Sequence, residues 1–140
     1  MTRTLTNLIR LHRWRVDEYR RAVTDAGRRV EHLTAALAAV EEGFRREQEK
    51  LHMENADPFG YGIYVEHIRM RRRDIRVALA AAEHEMADLR RQLADAYREC
   101  RKFELVKAER DRVGAAAASR REQRRIDEAA ATLRRLAGVR

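Results

Sequence analysis

The sequence is poor in the residues that build deep cores, disulfides and tight turns. Its 140 residues include one cysteine, one proline, six glycines and only 6% aromatic side chains. The single Cys100 cannot form an internal disulfide, so a reducing cytoplasmic environment is expected. Few aromatics and many alanines leave too little apolar volume for an α/β enzyme with a deep core. The composition favours long helices that share a narrow apolar stripe.

Long apolar runs are also missing. No stretch approaches the ~20 apolar residues that a membrane-spanning helix needs. Arg10, Arg13 and Arg15 interrupt the first apolar residues, which argues against a signal peptide. Charge, by contrast, is abundant, because 39% of the residues are charged and the net charge is +8. The positive excess lies at both ends of the chain and at residues 69–76.

Apolar residues recur every seven positions in both halves of the chain. In the first half, one series is apolar throughout and the interleaved series is apolar or aromatic at five of its seven positions. The two series are Ile9, Val16, Val23, Val30, Leu37, Phe44 and Leu51, and Leu5, His12, Tyr19, Ala26, Leu33, Val40 and Glu47. The second half repeats the pattern with Val65, Arg72, Leu79, Met86, Leu93 and Cys100, and with Ile68, Ile75, Ala82, Leu89, Ala96 and Phe103. Paired series with this period predict coiled-coil helices, and before residue 103 only Arg72 interrupts the second half.

The two heptad segments are separated by residues 55–62, which hold the only proline and two of the six glycines. Asp57 is a candidate N-cap, Pro58 suits the first helical position, and the glycines permit a tight reversal. We therefore predict an all-α fold, a two-helix antiparallel coiled coil (αα-hairpin) with a longer second helix. One domain would span residues 1–140, with helix 1 at about 3–54, the reversal at about 55–62 and helix 2 at about 63–137.

The two predicted helices of the hairpin differ in length. If residue i faces roughly residue 115 − i, the last ~25 residues have no partner within the chain. This segment is amphipathic: Ile126, Leu133 and Leu136 lie on one side and arginines frame them. The segment either covers a partner or frays in the free protein, and both hold if it orders on binding.

The basic N-terminus would lie close to the longer arm. Trp14, a large aromatic residue outside the heptad series, either anchors a partner or covers a helix flank. The predicted partner-binding residues come from both ends of the chain: Arg10, Arg13, Trp14, Arg121, Arg124, Arg125, Ile126 and Leu133.

Motifs that carry chemistry are not found. The sequence has no glycine-rich phosphate loop, no GxSxG elbow and no CxxC pair. His12 falls on the heptad seam, where packing explains it better than metal ligation. Glu49 and His52 form one helical carboxylate–histidine pair, whereas a di-iron bundle needs two. A two-helix protein also cannot enclose a pocket that excludes water. We therefore predict no catalytic residue, no metal site, no cofactor and no small-molecule substrate.

Two stretches of the second helix support a family resemblance. Residues 101–110 read RKFELVKAER, and residues 122–129 read EQRRIDEA. With the basic pairs and small apolar residues of positions 8–37, these stretches resemble the FliJ family of flagellar type III export proteins. The likeness covers nearly the whole chain.

The resemblance implies a stalk similar to that of rotary ATPases. Such a stalk inserts into the hexameric export ATPase, touches the cytoplasmic domain of the export gate and assists export chaperones. It would be cytoplasmic, peripheral at the cytoplasmic side of the inner membrane. Two alternatives remain at this point: a structural adaptor of another assembly, including an injectisome stalk, and a basic nucleic-acid-binding coiled coil. Interleaved acidic residues and the lack of an aromatic stacking platform argue against nucleic acid.

Overall fold

The computed structural model describes residues 2–53 and 58–138, all of which are helical. Helix α1 spans Thr2–Met53 (52 residues) and helix α2 spans Pro58–Gly138 (81 residues). The two helices pack against each other, which confirms the predicted all-α hairpin with a longer second helix.

Helix α2 begins earlier than the sequence analysis expected. It starts at Pro58 and not at about residue 63, so residues 58–62 are helical rather than part of the reversal. A proline fits the first helical position because its missing N–H would have no intrahelical partner there. Gly60 and Gly62 follow in the first two turns, and no described glycine has a positive φ. The predicted N-cap, Asp57, lies outside the described residues.

The heptad seam is covered as the pattern predicted. Every position of the four seven-residue series, from Leu5 to Leu51 and from Val65 to Phe103, is buried or half-buried. The most buried of them are Leu5, Ile9, Val16, Ala26, Ile68, Ala82 and Cys100, each at most 9% exposed. No described large side chain is fully buried, because two helices cover each other from one side only.

The chain divides into two compact units, one formed by Trp14–Ala96 and the other by Met1–Arg13 with Tyr97–Arg140. In the Trp14–Ala96 unit, Arg29 Nη1 donates to Glu85 Oε2 at 2.6 Å. A Cβ placed on the neighbouring Gly27 would lie 3.5 Å from the Met86 methyl carbon. These pairs match the predicted antiparallel register within about two residues.

Arg72, the interruption in the second-half seam, is accommodated within the same unit. Its Nη2 donates to Glu41 Oε2 at 2.5 Å, and its guanidinium carbon lies 5.2 Å from the Phe44 ring centre. Arg76 approaches the other oxygen of the Glu41 carboxylate at 3.6 Å. The Nε atom of Arg72 is shielded from solvent and makes no hydrogen bond to the described residues. One ion pair and one ring thus hold a charged side chain in an otherwise apolar seam.

Candidate interaction surface

The segment of α2 beyond residue 114 is the most exposed part of the described chain. It remains helical to Gly138, and only Ala117 and Ala130 are half-buried among its residues. Its large apolar side chains are open to solvent, with Ile126 53%, Leu133 67% and Leu136 70% exposed. Spacings of seven and three residues put these side chains on one side of the helix. The segment therefore presents an apolar face that the described part of the chain leaves uncovered.

Arginines occupy the other side of this segment. Arg125 pairs with Glu122 at 3.2 Å. Five further arginines make no ion pair with any described residue: Arg120, Arg121, Arg124, Arg134 and Arg135. Residues 115–138 hold six arginines and three acidic residues, so their positive charge is not neutralised locally. Such a helix can bind a partner through its apolar face and attract acidic groups along its edges.

A second basic group lies in the same unit, where the start of α1 packs on α2. Arg10, Arg13 and Lys107 surround Ile9 and Thr6 in a shallow depression of about 240 Å³. Ile9 is 4% exposed and forms the apolar floor of this depression. Arg10 makes no ion pair with the described residues, whereas Lys107 pairs with Asp111 at 2.8 Å. Arg10 is therefore the cation of this group that forms no ion pair within the described part of the chain.

Arg13 is held by a small polar cluster. Its Nε donates to Glu104 Oε1 at 3.1 Å, and the Cys100 thiol donates to the same oxygen at 3.5 Å. The hydrogen bond from Arg13, followed by that from Cys100, lowers the pKa of the Glu104 carboxyl. Burial, followed by the hydrogen bond to Glu104, raises the pKa of the Cys100 thiol. Cys100 is thus a buried, protonated packing residue, and Glu104 is the anion that positions Arg13.

His12 and Phe103 pack beside this cluster, with ring centres 4.8 Å apart and planes inclined by 27°. The half-buried His12 therefore has the packing role that the heptad position indicated. Among the residues that the structure describes, no three His, Cys, Asp or Glu side chains converge as metal ligands would. No described helix is long and apolar enough to cross a membrane.

The structure brings together only some of the predicted partner-binding residues. Arg10 and Arg13 share the depression beside Lys107, and Arg121 lies about 21 Å further along α2 at 1.5 Å per residue. Arg124, Arg125, Ile126 and Leu133 belong with Arg121 on the exposed segment. Trp14 is 59% exposed on α1 and belongs to the Trp14–Ala96 unit. The predicted residues therefore do not form one site. Arg10 and Arg13 belong to the basic depression, and the predicted residues beyond position 114 belong to the exposed segment of α2.

A comparison with protein-family models matches residues 1–137 to the flagellar FliJ protein. The chain belongs to the FliJ family. Neither curated proteins nor solved structures give a match. Membership of the FliJ family makes this a flagellar protein related to export.

Sequence reasoning missed three features of this FliJ-family chain. Glu104 and Lys107, which position and flank the N-terminal arginines, stand 91 and more residues away from them, so no local pattern marks them. The third feature is a row of exposed apolar side chains on α2 at Ile63, Met70 and Val77. Their seven-residue spacing was a readable signal, but the row has only three members and lies on the opposite side of α2 from the longer hairpin series.

Proposed function

We propose that this FliJ-family chain is a non-catalytic component of flagellar protein export that couples the hexameric export ATPase to the cytoplasmic domain of the export gate. In this role it acts by binding, and it also assists export chaperones. It would be cytoplasmic and peripheral at the inner membrane through its partners.

The observation that supports the proposal most directly is the uncovered face of α2 beyond residue 114. Ile126, Leu133 and Leu136 are each more than half exposed on a continuous helix. Apolar faces of this kind on soluble helices are usually buried against a partner. The proposal assigns this face to the export ATPase.

The charges suggest how the contact would form. The arginines of the exposed segment that pair with no described residue would speed association with an acidic surface, and the apolar face would then be desolvated. Arg10 and Arg13 would add a second, shorter contact beside the first turns of α1. Trp14 is retained as a candidate anchor because 59% of it is exposed.

The experiment is a binding measurement between the full chain and the export ATPase. Replacing two residues together, Ile126→Lys and Leu133→Lys, should weaken binding at least about tenfold, because two apolar contacts would be replaced by charges. The control is Val77→Lys, which changes an equally exposed apolar residue of the other unit and should leave ATPase binding unchanged.

Two further measurements sharpen this test. Reversing Arg121 and Arg124 to Glu should lower the association rate most strongly at low salt. Circular dichroism should show unchanged helix content in each variant, since the altered residues are exposed. If a chain lacking residues 115–140 bound the ATPase as tightly as the full chain, the assigned surface would be wrong.

A further inference from the structure

Three large apolar side chains on α2 lie outside the hairpin seam at seven-residue spacing. Ile63 is 62%, Met70 59% and Val77 64% exposed. Isolated exposed apolar residues are common on soluble proteins and need no explanation. Three at successive heptad positions form a continuous line, about 10.5 Å from one residue to the next along the helix.

This line lies on the side of α2 that faces away from α1. Ile68, Ile75 and Leu79 point towards α1 and are buried or half-buried. At 3.6 residues per turn, Met70 lies about 180° around the helix from the centre of that seam. Within residues 63–79, α2 therefore carries two apolar stripes on opposite sides, and α1 covers only one of them. A helix with two such stripes is suited to lie between two other helices.

One edge of the outer stripe is strongly basic. An open groove of about 400 Å³ runs along this edge and is lined by Arg69, Arg72, Arg73, Arg76, Val77 and Ala80. Arg73 makes no ion pair with any described residue. Arg69 and Arg76 approach their carboxylates at 3.5 and 3.6 Å, longer than charge-assisted hydrogen bonds. The edge therefore presents positive charge beside an apolar line.

We propose that the stripe of Ile63, Met70 and Val77 is a docking surface for an amphipathic helix of another protein. That helix would place apolar heptad residues on the stripe and acidic residues along the edge formed by Arg69, Arg73 and Arg76. This surface belongs to the Trp14–Ala96 unit and is independent of the ATPase contact proposed for residues 115–138.

Charge favours such a partner over a second copy of this chain. Two copies of α2 related by an antiparallel two-fold axis would bring each arginine edge against the same edge of the other copy. Like charges at flanking coiled-coil positions disfavour that pairing, whereas glutamates there would favour it.

The test uses the full chain and a designed peptide of about 21 residues, three heptads with Leu at the seam and Glu at both flanks. A matched peptide carries Lys at the flanks. Fluorescence anisotropy should show the Glu peptide binding at least about tenfold more tightly than the Lys peptide. Met70→Glu should abolish this binding, and Arg73→Glu should shift the preference towards the Lys peptide. Val113→Glu, on an exposed residue of the other unit, should have no effect.

Three results would overturn the proposal. One is equal binding of the two peptides, and another is full binding by Met70→Glu. The third is a concentration-dependent dimer of the chain alone, seen by sedimentation equilibrium and lost in Met70→Glu, which would assign the stripe to self-association. If Met70→Glu reduced helix content, Met70→Gln would replace it, since it removes the apolar contact without adding charge.

Discussion

Replacing Arg72 by leucine should stabilise the hairpin. Arg72 occupies a heptad position at which neighbouring turns carry Ile68, Ile75 and Leu79, and its side chain is only 29% exposed. Its Nε is shielded from solvent and has no hydrogen-bond partner among the described residues. The substitution Arg72→Leu completes the apolar seam and removes the shielded nitrogen.

The expected size follows from the contacts that are lost and gained. Losing the ion pair with Glu41 should cost about 0.5–1 kcal/mol, because both partners are partly exposed. Losing the contact with the Phe44 ring should cost about 0.5 kcal/mol. Burying most of a leucine side chain should contribute roughly 1–2 kcal/mol, and removing the unpaired Nε about 1 kcal/mol more. The net expectation is that the free energy of unfolding rises by about 1 kcal/mol.

Urea denaturation followed by circular dichroism measures this change, with an unchanged slope showing that the surface exposed on unfolding is the same. The matched variant is Glu41→Gln, which removes the charge that pairs with Arg72. It should destabilise the wild type by about 0.5–1 kcal/mol and have a smaller effect in the Arg72→Leu background, where only the longer contact between Glu41 and Arg76 remains. A loss of stability in Arg72→Leu exceeding 1 kcal/mol would show that the ion pair outweighs the seam packing.

Three further predictions concern stability and use the same denaturation assay. Ile9→Ala should lower the free energy of unfolding by about 2–3 kcal/mol, because Ile9 is 4% exposed, whereas Leu105→Ala, at 54% exposure, should cost well under 1 kcal/mol. Gly43→Ala should raise stability by roughly 0.5–1 kcal/mol, since it lies within a helix and, apart from its chain neighbours and the local helix backbone, no described atom would lie within 4 Å of a Cβ there. The hydrogen bond from Arg13 lowers the pKa of Glu104 in the folded chain. The charged carboxylate therefore stabilises the fold fully above the ordinary pKa of 4.5, and this stabilisation is lost as the pH falls through the lowered pKa. Stability should therefore drop more between pH 5 and pH 3 in the wild type than in Glu104→Gln.

Each of these results has a counterpart that would contradict it. If Ile9→Ala and Leu105→Ala lowered the free energy of unfolding equally, burial in the seam would contribute little to stability. A destabilised Gly43→Ala would place a neighbour closer to that glycine than the structure shows. If stability depended on pH identically in the wild type and in Glu104→Gln, the charged Glu104 carboxylate would contribute nothing to stability.

Sequence alone was sufficient for the fold because the relevant pattern is local. A seven-residue period reports which side of a helix is apolar, and the interruption between the two periodic segments indicates where the chain reverses. The same count placed the last residues of α2 beyond the reach of α1, where Ile126 and Leu133 are exposed. These properties depend on spacing along one chain, so they can be read without coordinates.

Only the tertiary structure showed which groups surround the polar side chains in and beside the seam. Spacing marked Arg72 as an interruption but could not identify Glu41 and Phe44 as the groups that accommodate it. It could not pair Arg13 with Glu104, because that contact depends on side chains meeting across two helices. The sequence pattern identified the seam of α2, but only the structure shows that the second, shorter line of the same period stays exposed. Because α1 covers one side of α2 only, Ile68, Ile75 and Leu79 are buried or half-buried, whereas Ile63, Met70 and Val77 on the opposite side stay exposed.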